Sequence, residues 1–268
     1  MVILVTGGAG FIGSHLCERL MREGHRVVCL DNLDDFYNPK IKRRNIQESI
    51  GEERFELIEG DIRDTQLIKR IFRRQTIDVV VHLAARAGVR PSIDYPKLYE
   101  EVNVRGTINL LDACREFGVK SFVFASSSSV YGRDSKAPFS EKDRVDTPIS
   151  PYGATKRVGE LFCYTYHHLF GINITCLRYF TAYGPRQRPE MAIHKFTRLI
   201  EGNERVPMYG DGQSMRDYTY IEDIIDGTLG AISRNKGYEI YNLGESRTTR
   251  LIDLIRMLEE ALGKRAII

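Results

Sequence analysis

The stretch from Val2 to Arg22 constrains the fold more than any other part of the chain. Val2-Ile-Leu-Val-Thr6 is an unbroken apolar run, followed by Gly7-Gly-Ala-Gly10-Phe-Ile-Gly13 and a helical pattern from Ser14 to Arg22. A continuous apolar strand is buried on both faces, which happens when helices cover a parallel sheet. Glycines at the turn let the backbone approach a ligand closely, and the following helix offers its N–H groups and positive dipole end to a pyrophosphate. Strand, glycine turn and helix in that order form the setting of a dinucleotide-binding fingerprint, spaced here G-x-x-G-x-x-G rather than G-x-G-x-x-G. The expected cofactor contacts at this end are Gly7, Gly10, Phe11, Ile12 and Gly13.

The next segments repeat the alternation. Arg26-Val-Val-Cys-Leu30 reads as a second strand ending at Asp31-Asn32. An acid at that strand end bonds ribose hydroxyls and repels a 2′-phosphate, which favours NAD over NADP. Residues 31–44 are polar and turn-rich, a surface loop leading into a short helix. Phe55–Ile58 is a third strand, with Asp61 and Ile62 after it framing the adenine. Asp78–Leu83 is a fourth strand, running into Ala84-Ala85, where a cofactor can pass closely. A helix is expected over Tyr99–Phe117, strands over Lys120–Ala125 and Ile172–Arg178, and between them a helix over Tyr152–Phe170. Strands alternating with helices imply βαβ units. The expected fold is α/β: a Rossmann-type, doubly wound parallel sheet with a smaller C-terminal substrate lobe.

Within that frame, Tyr152 and Lys156 sit four residues apart, on one helix face. A free tyrosine is a poor base at neutral pH, but a nearby cation stabilises its phenolate, so the pair can take a proton from a substrate hydroxyl. Many helices carry such a pair by chance; the cofactor signature is what makes it a catalytic candidate.

Composition excludes several other classes. With 39 basic and 36 acidic residues the net charge is +3, too balanced to predict nucleic-acid binding. The five cysteines lack C-x-x-C spacing, so they read as inert thiols of a reducing cytoplasm, with no metal site expected. There is no signal-peptide pattern and no run long enough to span a membrane.

Beyond Tyr179 the pattern breaks into a basic loop at Gly184–Pro189, helices over 191–200, 222–232 and 251–262, and short strands at 207–209, 217–220 and 239–241. This gives a dinucleotide-binding domain over residues 1–178 and a mainly substrate-binding lobe over 179–268, with elements of about 211–235 returning to the first.

Taken together, Thr6–Gly13, Asp31-Asn32, Asp61, His82-Leu-Ala-Ala85, Ser126–Ser129, Val130-Tyr-Gly132 and Tyr152/Lys156 resemble the extended short-chain dehydrogenase/reductase family, and within it the NAD-dependent nucleotide-sugar epimerases. The resemblance implies bound NAD, a UDP-sugar substrate and a homodimer, with Leu83, Asn103 and Tyr179 also at the cofactor. It implies that Ser127 and Tyr152 bridge the sugar 4-hydroxyl, with Tyr152 as base and Lys156 on the nicotinamide ribose. Related dehydratases and decarboxylases carry acids after the hydroxyl residue; this chain has Ser128 and Ser129, which cannot do that work. Ala87-Gly88-Val89-Arg90, Tyr179–Pro185 and Arg188-Pro-Glu-Met191-Ala are similar to the UDP-glucuronate 4-epimerases, so Thr181 and Arg188 are candidates for a sugar carboxylate. Arg216 is the candidate for the nucleotide diphosphate. A glucose/galactose or N-acetylglucosamine epimerase stays open as an alternative, as does a non-catalytic NAD sensor. Members of this family run further than Ile268, so the lobe is expected to be cut short at its C-terminus.

Overall fold

The computed structural model describes residues 1–132, 135–208 and 210–268. At its centre lies a seven-stranded sheet, in the order β3 (Phe55–Glu59), β2 (Arg26–Asp31), β1 (Val2–Thr6), β4 (Val79–His82), β5 (Ser121–Ser127), β6 (Asn173–Tyr179), β9 (Tyr238–Leu243). Every neighbouring pair is parallel. Side chains alternate between two cores, as the two-residue period of a strand requires. Ile3, Val5, Val27, Cys29, Val79 and Val81 pack under α1 (Phe11–Arg22) and α9 (Ile221–Ser233). Leu4, Val28, Leu30 and Val80 pack under α3 (Thr65–Arg74), α6 (Gly106–Phe117) and α7 (Pro151–Phe170). Helices on both faces make the sheet doubly wound, and the reversal of strand order lies between β1 and β4, where such folds bind their ligands.

Short elements fill the connections: α2 (Pro39–Asn45) after β2, α4 (Val89–Asp94) and α5 (Pro96–Glu100) after β4. The helix expected over Tyr99–Phe117 is continuous but not uniform: α5 passes into α6 through a π-helical turn at Glu101–Arg105. A second sheet has the order β10 (Thr248–Arg250), β8 (Met215–Tyr220), β7 (Thr181–Tyr183). Beside it α8 (Ala192–Glu201) and α10 (Leu251–Leu262) share a core of Phe196, Leu199, Ile200, Val206 and Ile255. The chain returns to the main sheet through α9 and β9, while β8 stays in the small one. Of the strand expected at 207–209, Pro207 and Met208 are in no strand and Tyr209 lies outside the described residues.

Helix α7 starts where its sequence tells it to. Ser150 caps it by accepting from Gly153 N at 3.0 Å, Pro151 occupies the first turn, and Gly171 ends it in a left-handed conformation. The apolar spacing Val158, Leu161, Phe162 and Leu169 does not mark its buried face, because Leu161 and Leu169 are exposed while Lys156, Glu160, Cys163 and Tyr166 are buried. Polar residues occupy that face because partners meet them there. Arg178 Nε and Nη2 donate to Glu160 Oε1 and Oε2 at 2.9 and 3.0 Å, and Ser126 Oγ donates to Oε1 at 2.6 Å. Arg178 Nη1 donates to Tyr131 Oη at 3.1 Å, which donates to Asn242 at 2.6 Å. This chain of bonds ties α7 to β5, β6 and β9. Glu160 and Arg178 are 0% and 1% exposed, so breaking the pair leaves the Glu160 charge in the core with Ser126 and a single bond from Arg157 Nη1 at 3.2 Å. Arg178→Met is therefore expected to cost about 3 kcal/mol in a urea titration, the remaining Arg157 contact keeping the loss at the low end for a buried pair.

Candidate functional site

At the C-terminal ends of β1, β2, β4 and β5 lies one large cavity, and most of the residues singled out in the sequence meet on its walls. Thr6 stands opposite Leu30 on one side and His82 on the other, so the glycine turn emerges between the two strand ends. Gly7 has a φ of +72°, and a Cβ there would meet Ala84 N at 2.7 Å, so only glycine fits. Helix α1 begins without a side-chain cap and without an acid in its first turn. Its first N–H groups are left for an anion, as a dinucleotide pyrophosphate requires. Gly10, Phe11, Ile12 and Gly13 line the cavity at this point.

Asp31 closes the same turn from β2. Its Oδ2 accepts from Ala9 N at 3.0 Å and its Oδ1 from Leu33 N at 2.8 Å. Burial pushes this carboxyl up, and Lys42 and the two N–H groups oppose the rise. Asn32 donates to Asp61 Oδ2 at 2.9 Å, and Arg63 holds Asp61 through both oxygens. Burial alone would raise Asp61, but the Arg63 and Asn32 bonds outweigh it and hold the carboxyl below its usual range. Asp31, Asn32, Asp61 and Ile62 all line the cavity.

The opposite wall comes from β4 and its neighbours. His82 Nδ1 lies 2.7 Å from the Thr6 hydroxyl and Nε2 lies 3.0 Å from that of Thr107. Thr107 spends its own proton on Asn103 O at 2.6 Å, so His82 Nε2 must be the donor. Burial, and after it the Lys156 charge, push this imidazole down to about 3, and it stays neutral. The ring fixes the end of β4, from which Leu83, Ala84 and Ala85 reach the cavity. Asn103 is buried and does not line it. Its amide accepts from Arg86 N at 2.7 Å and donates to Arg86 O and Thr155 Oγ1, both at 3.0 Å, strapping this turn to α7.

Ser127, Tyr152, Lys156 and Tyr179 line the floor. A Cβ at Gly153 would meet Ser129 O at 2.5 Å, so the first turn of α7 can lie against the serine turn and bring Tyr152 to Ser127. Burial raises the Tyr152 phenol, opposed by a hydrogen bond with Ser127 and by the Arg188 charge. Lys156 is pushed down to about 8 by burial, and its ammonium donates to Ala125 O at 2.7 Å. The groups that oppose the rise at Tyr152 are thus Ser127 and Arg188, and Lys156 is turned toward the strand.

Of the substrate candidates, Ser127, Arg188 and Met191 line the cavity. Gly88, Val89 and Arg90 open helix α4 just past the lining residue Ala87, and Ser128 follows Ser127 in a short 3-10 turn. Thr181 lies between the lining residues Phe180 and Ala182. Arg216 is exposed on β8, with Nη1 donating to Met215 O at 3.1 Å. Sequence reading missed Tyr37, Lys42 and Arg86, which also line the cavity. It also read 31–44 as a surface loop leading into a short helix, whereas in that helix Lys42 is buried beside Asp31, and Asn45, just past the range, is buried too, donating to Ala9 O at 3.1 Å. The signal available was their i, i+3 spacing on one short helix.

Residues 3–244 match the NAD dependent epimerase/dehydratase family. The chain belongs to that family. Among curated members, the UDP-glucuronate 4-epimerase of Thermodesulfobacterium geofontis is 46% identical over 264 residues, covering 98% of this chain and 81% of its own. Among solved structures of the family, the UDP-glucuronic acid 4-epimerase of Bacillus cereus, in complex with UDP-glucuronic acid and NAD, superposes with a TM-score of 0.93 at 42% identity. That match covers 100% of this chain and 85% of the other. The UDP-glucose 4-epimerase of Thermotoga maritima, with UDP-glucose, gives 0.90 at 34% identity over the same shares.

Proposed function

We infer that this family member is an NAD-dependent UDP-glucuronate 4-epimerase, interconverting UDP-glucuronate and UDP-galacturonate. One observation carries the reading: a single cavity is lined by Ser127, Tyr152 and Lys156 and also by the Arg188 guanidinium, whose charge reaches Tyr152. Ser127 and Tyr152 serve hydroxyl chemistry at C4 of a sugar, and Lys156 the cofactor beside them. Arg188 provides the charge that a C5 carboxylate needs and a neutral sugar does not.

The glycine turn, the open start of α1, Asp31 and Lys156 would hold NAD, and the fit of that cradle supports the cofactor. NAD supplies a reversible hydride acceptor, so C4 can be oxidised and reduced again without net redox change. Tyr152 would act as the phenolate, favoured by the Ser127 hydrogen bond, the Arg188 charge and the positive nicotinamide that NAD would bring. It accepts the proton of the 4-hydroxyl and returns it at the end, and Ser127 holds the same hydroxyl during both transfers. Between them the 4-keto sugar turns its other face. Ser128 and Ser129 offer no second acid, so water is not eliminated. Thr181 and Met191 are taken as further sugar contacts, Gly88, Val89, Arg90 and Ser128 as substrate contacts, and Arg216 as the contact of the nucleotide diphosphate.

Asp31 also decides the cofactor. A 2′-phosphate brought to its carboxylate would meet a like charge, and calorimetry is expected to give NAD roughly tenfold or more tighter than NADP. Equal affinities would remove Asp31 from that role. The reading further takes the protein to be cytoplasmic, in keeping with five free, buried cysteines, and homodimeric, in keeping with Leu161, Tyr164 and Leu169 exposed along α7.

A substrate panel tests the function: UDP-glucuronate, UDP-glucose and UDP-N-acetylglucosamine, each followed to its 4-epimer. Preference for UDP-glucuronate is expected. Preference for a neutral sugar would hand the site to a glucose-type epimerase, and bound NAD without turnover of any sugar would make it a sensor.

A further inference from the structure

Arg188 is shared between the cavity and a carboxylate outside it. Its Nε lies 3.1 Å from Glu190 Oε1, and its Nη2 lies 3.3 Å from the Met191 sulfur. Arg188 and Met191 line the cavity and Glu190 does not. The Glu190 side chain is 40% exposed against 21% for Arg188, so the pair sits at the rim. Glu190 is still felt inside: burial raises Tyr37 and Tyr99, and at both of them Arg188 opposes the rise while Glu190 adds to it.

We propose that Glu190 is a specificity-determining residue, a resident carboxylate that neutralises Arg188 when the sugar site is empty and weakens the site's hold on an acidic sugar. The proposal rests on the UDP-glucuronate reading above. A guanidinium binds carboxylates along two edges. Glu190 engages Nε, and the softer Met191 contact at Nη2 is the one a sugar carboxylate can replace. Arg188 and Glu190 together carry no net charge, so a neutral sugar gains or loses little from the pair. An anionic sugar gains from Arg188 and is repelled by Glu190. Two carboxylates sharing one guanidinium are close enough that, at a partly solvated site, the repulsion is worth roughly tenfold in affinity. The rival idea, that Glu190 braces Arg188 for the substrate, predicts a change of opposite sign.

Kinetics of the holoenzyme separate the two. The KM for UDP-glucuronate and the inhibition constant of UDP-glucose against it are measured for wild type, Glu190→Gln and Glu190→Asp, with thermal unfolding as a folding control. Glu190→Gln is expected to lower the KM for UDP-glucuronate about tenfold, and to widen the preference over UDP-glucose by the same factor. Glu190→Asp keeps the charge and is expected to stay within about twofold of wild type. An unchanged or higher KM in Glu190→Gln overturns the proposal, as does a parallel fall in both constants, or a fall in Glu190→Asp as large as in Glu190→Gln. If wild type epimerises UDP-glucuronate and the variants do not shift, this inference alone fails. If wild type does not act on UDP-glucuronate, the functional reading fails and the proposal with it.

Discussion

Tyr152→Phe is expected to lose about 10²–10⁴-fold in kcat while binding NAD as the wild type does, because it removes the proton-transfer group and leaves the nucleotide cradle whole. The cradle is built from the glycine turn, the start of α1 and Asp31, none of which depends on the phenol oxygen. The same substitution also removes the partner that Ser127 and Arg188 act on. Cofactor released from the denatured variant and a single-turnover assay check the two halves separately. A variant with near wild-type kcat would mean that another group moves the proton.

Arg188→Ala is expected to separate the substrates rather than stop the chemistry. Its guanidinium lies on the cavity wall and is 21% exposed, so loss of a charge-assisted contact to a sugar carboxylate should cost roughly 1.5–3 kcal/mol, felt by UDP-glucuronate far more than by UDP-glucose. A second effect follows from the intermediate. The 4-keto form of UDP-glucuronate is a β-keto acid, which loses carbon dioxide when its C5–carboxylate bond aligns with the carbonyl π system. Holding the carboxylate out of that alignment is part of epimerising this sugar, so the variant is expected to leak a decarboxylated UDP-pentose. Product analysis by chromatography reads both outcomes. Equal losses on acidic and neutral sugars would show that Arg188 does not read a carboxylate.

The main sheet was legible because buried parallel strands are written as continuous apolar runs, and Val2–Thr6, Arg26–Leu30 and Asp78–Leu83 read alike. The glycine turn and Asp31 were legible because backbone closeness and an acid at a strand end leave marks at fixed spacing. What stayed hidden depends on tertiary approach. Glu160 and Arg178 look like surface charges until α7 and β6 bring them together out of water. Lys42 and Asn45 sit in a polar helix whose burial is decided by the turn it covers. The π-helical turn at Glu101–Arg105 adds a residue to one turn without changing composition, so a helix pattern runs through it unbroken. Strands as short as β10, with three residues, carry too little period to be seen.

The central claim is that C4 is oxidised and reduced again within one site. UDP-glucuronate carrying deuterium at C4, incubated with the purified protein in ordinary water, tests it most directly. The account predicts UDP-galacturonate with deuterium still on C4, at a yield set by the equilibrium between the two sugars. Product that has exchanged its C4 label with water would contradict it.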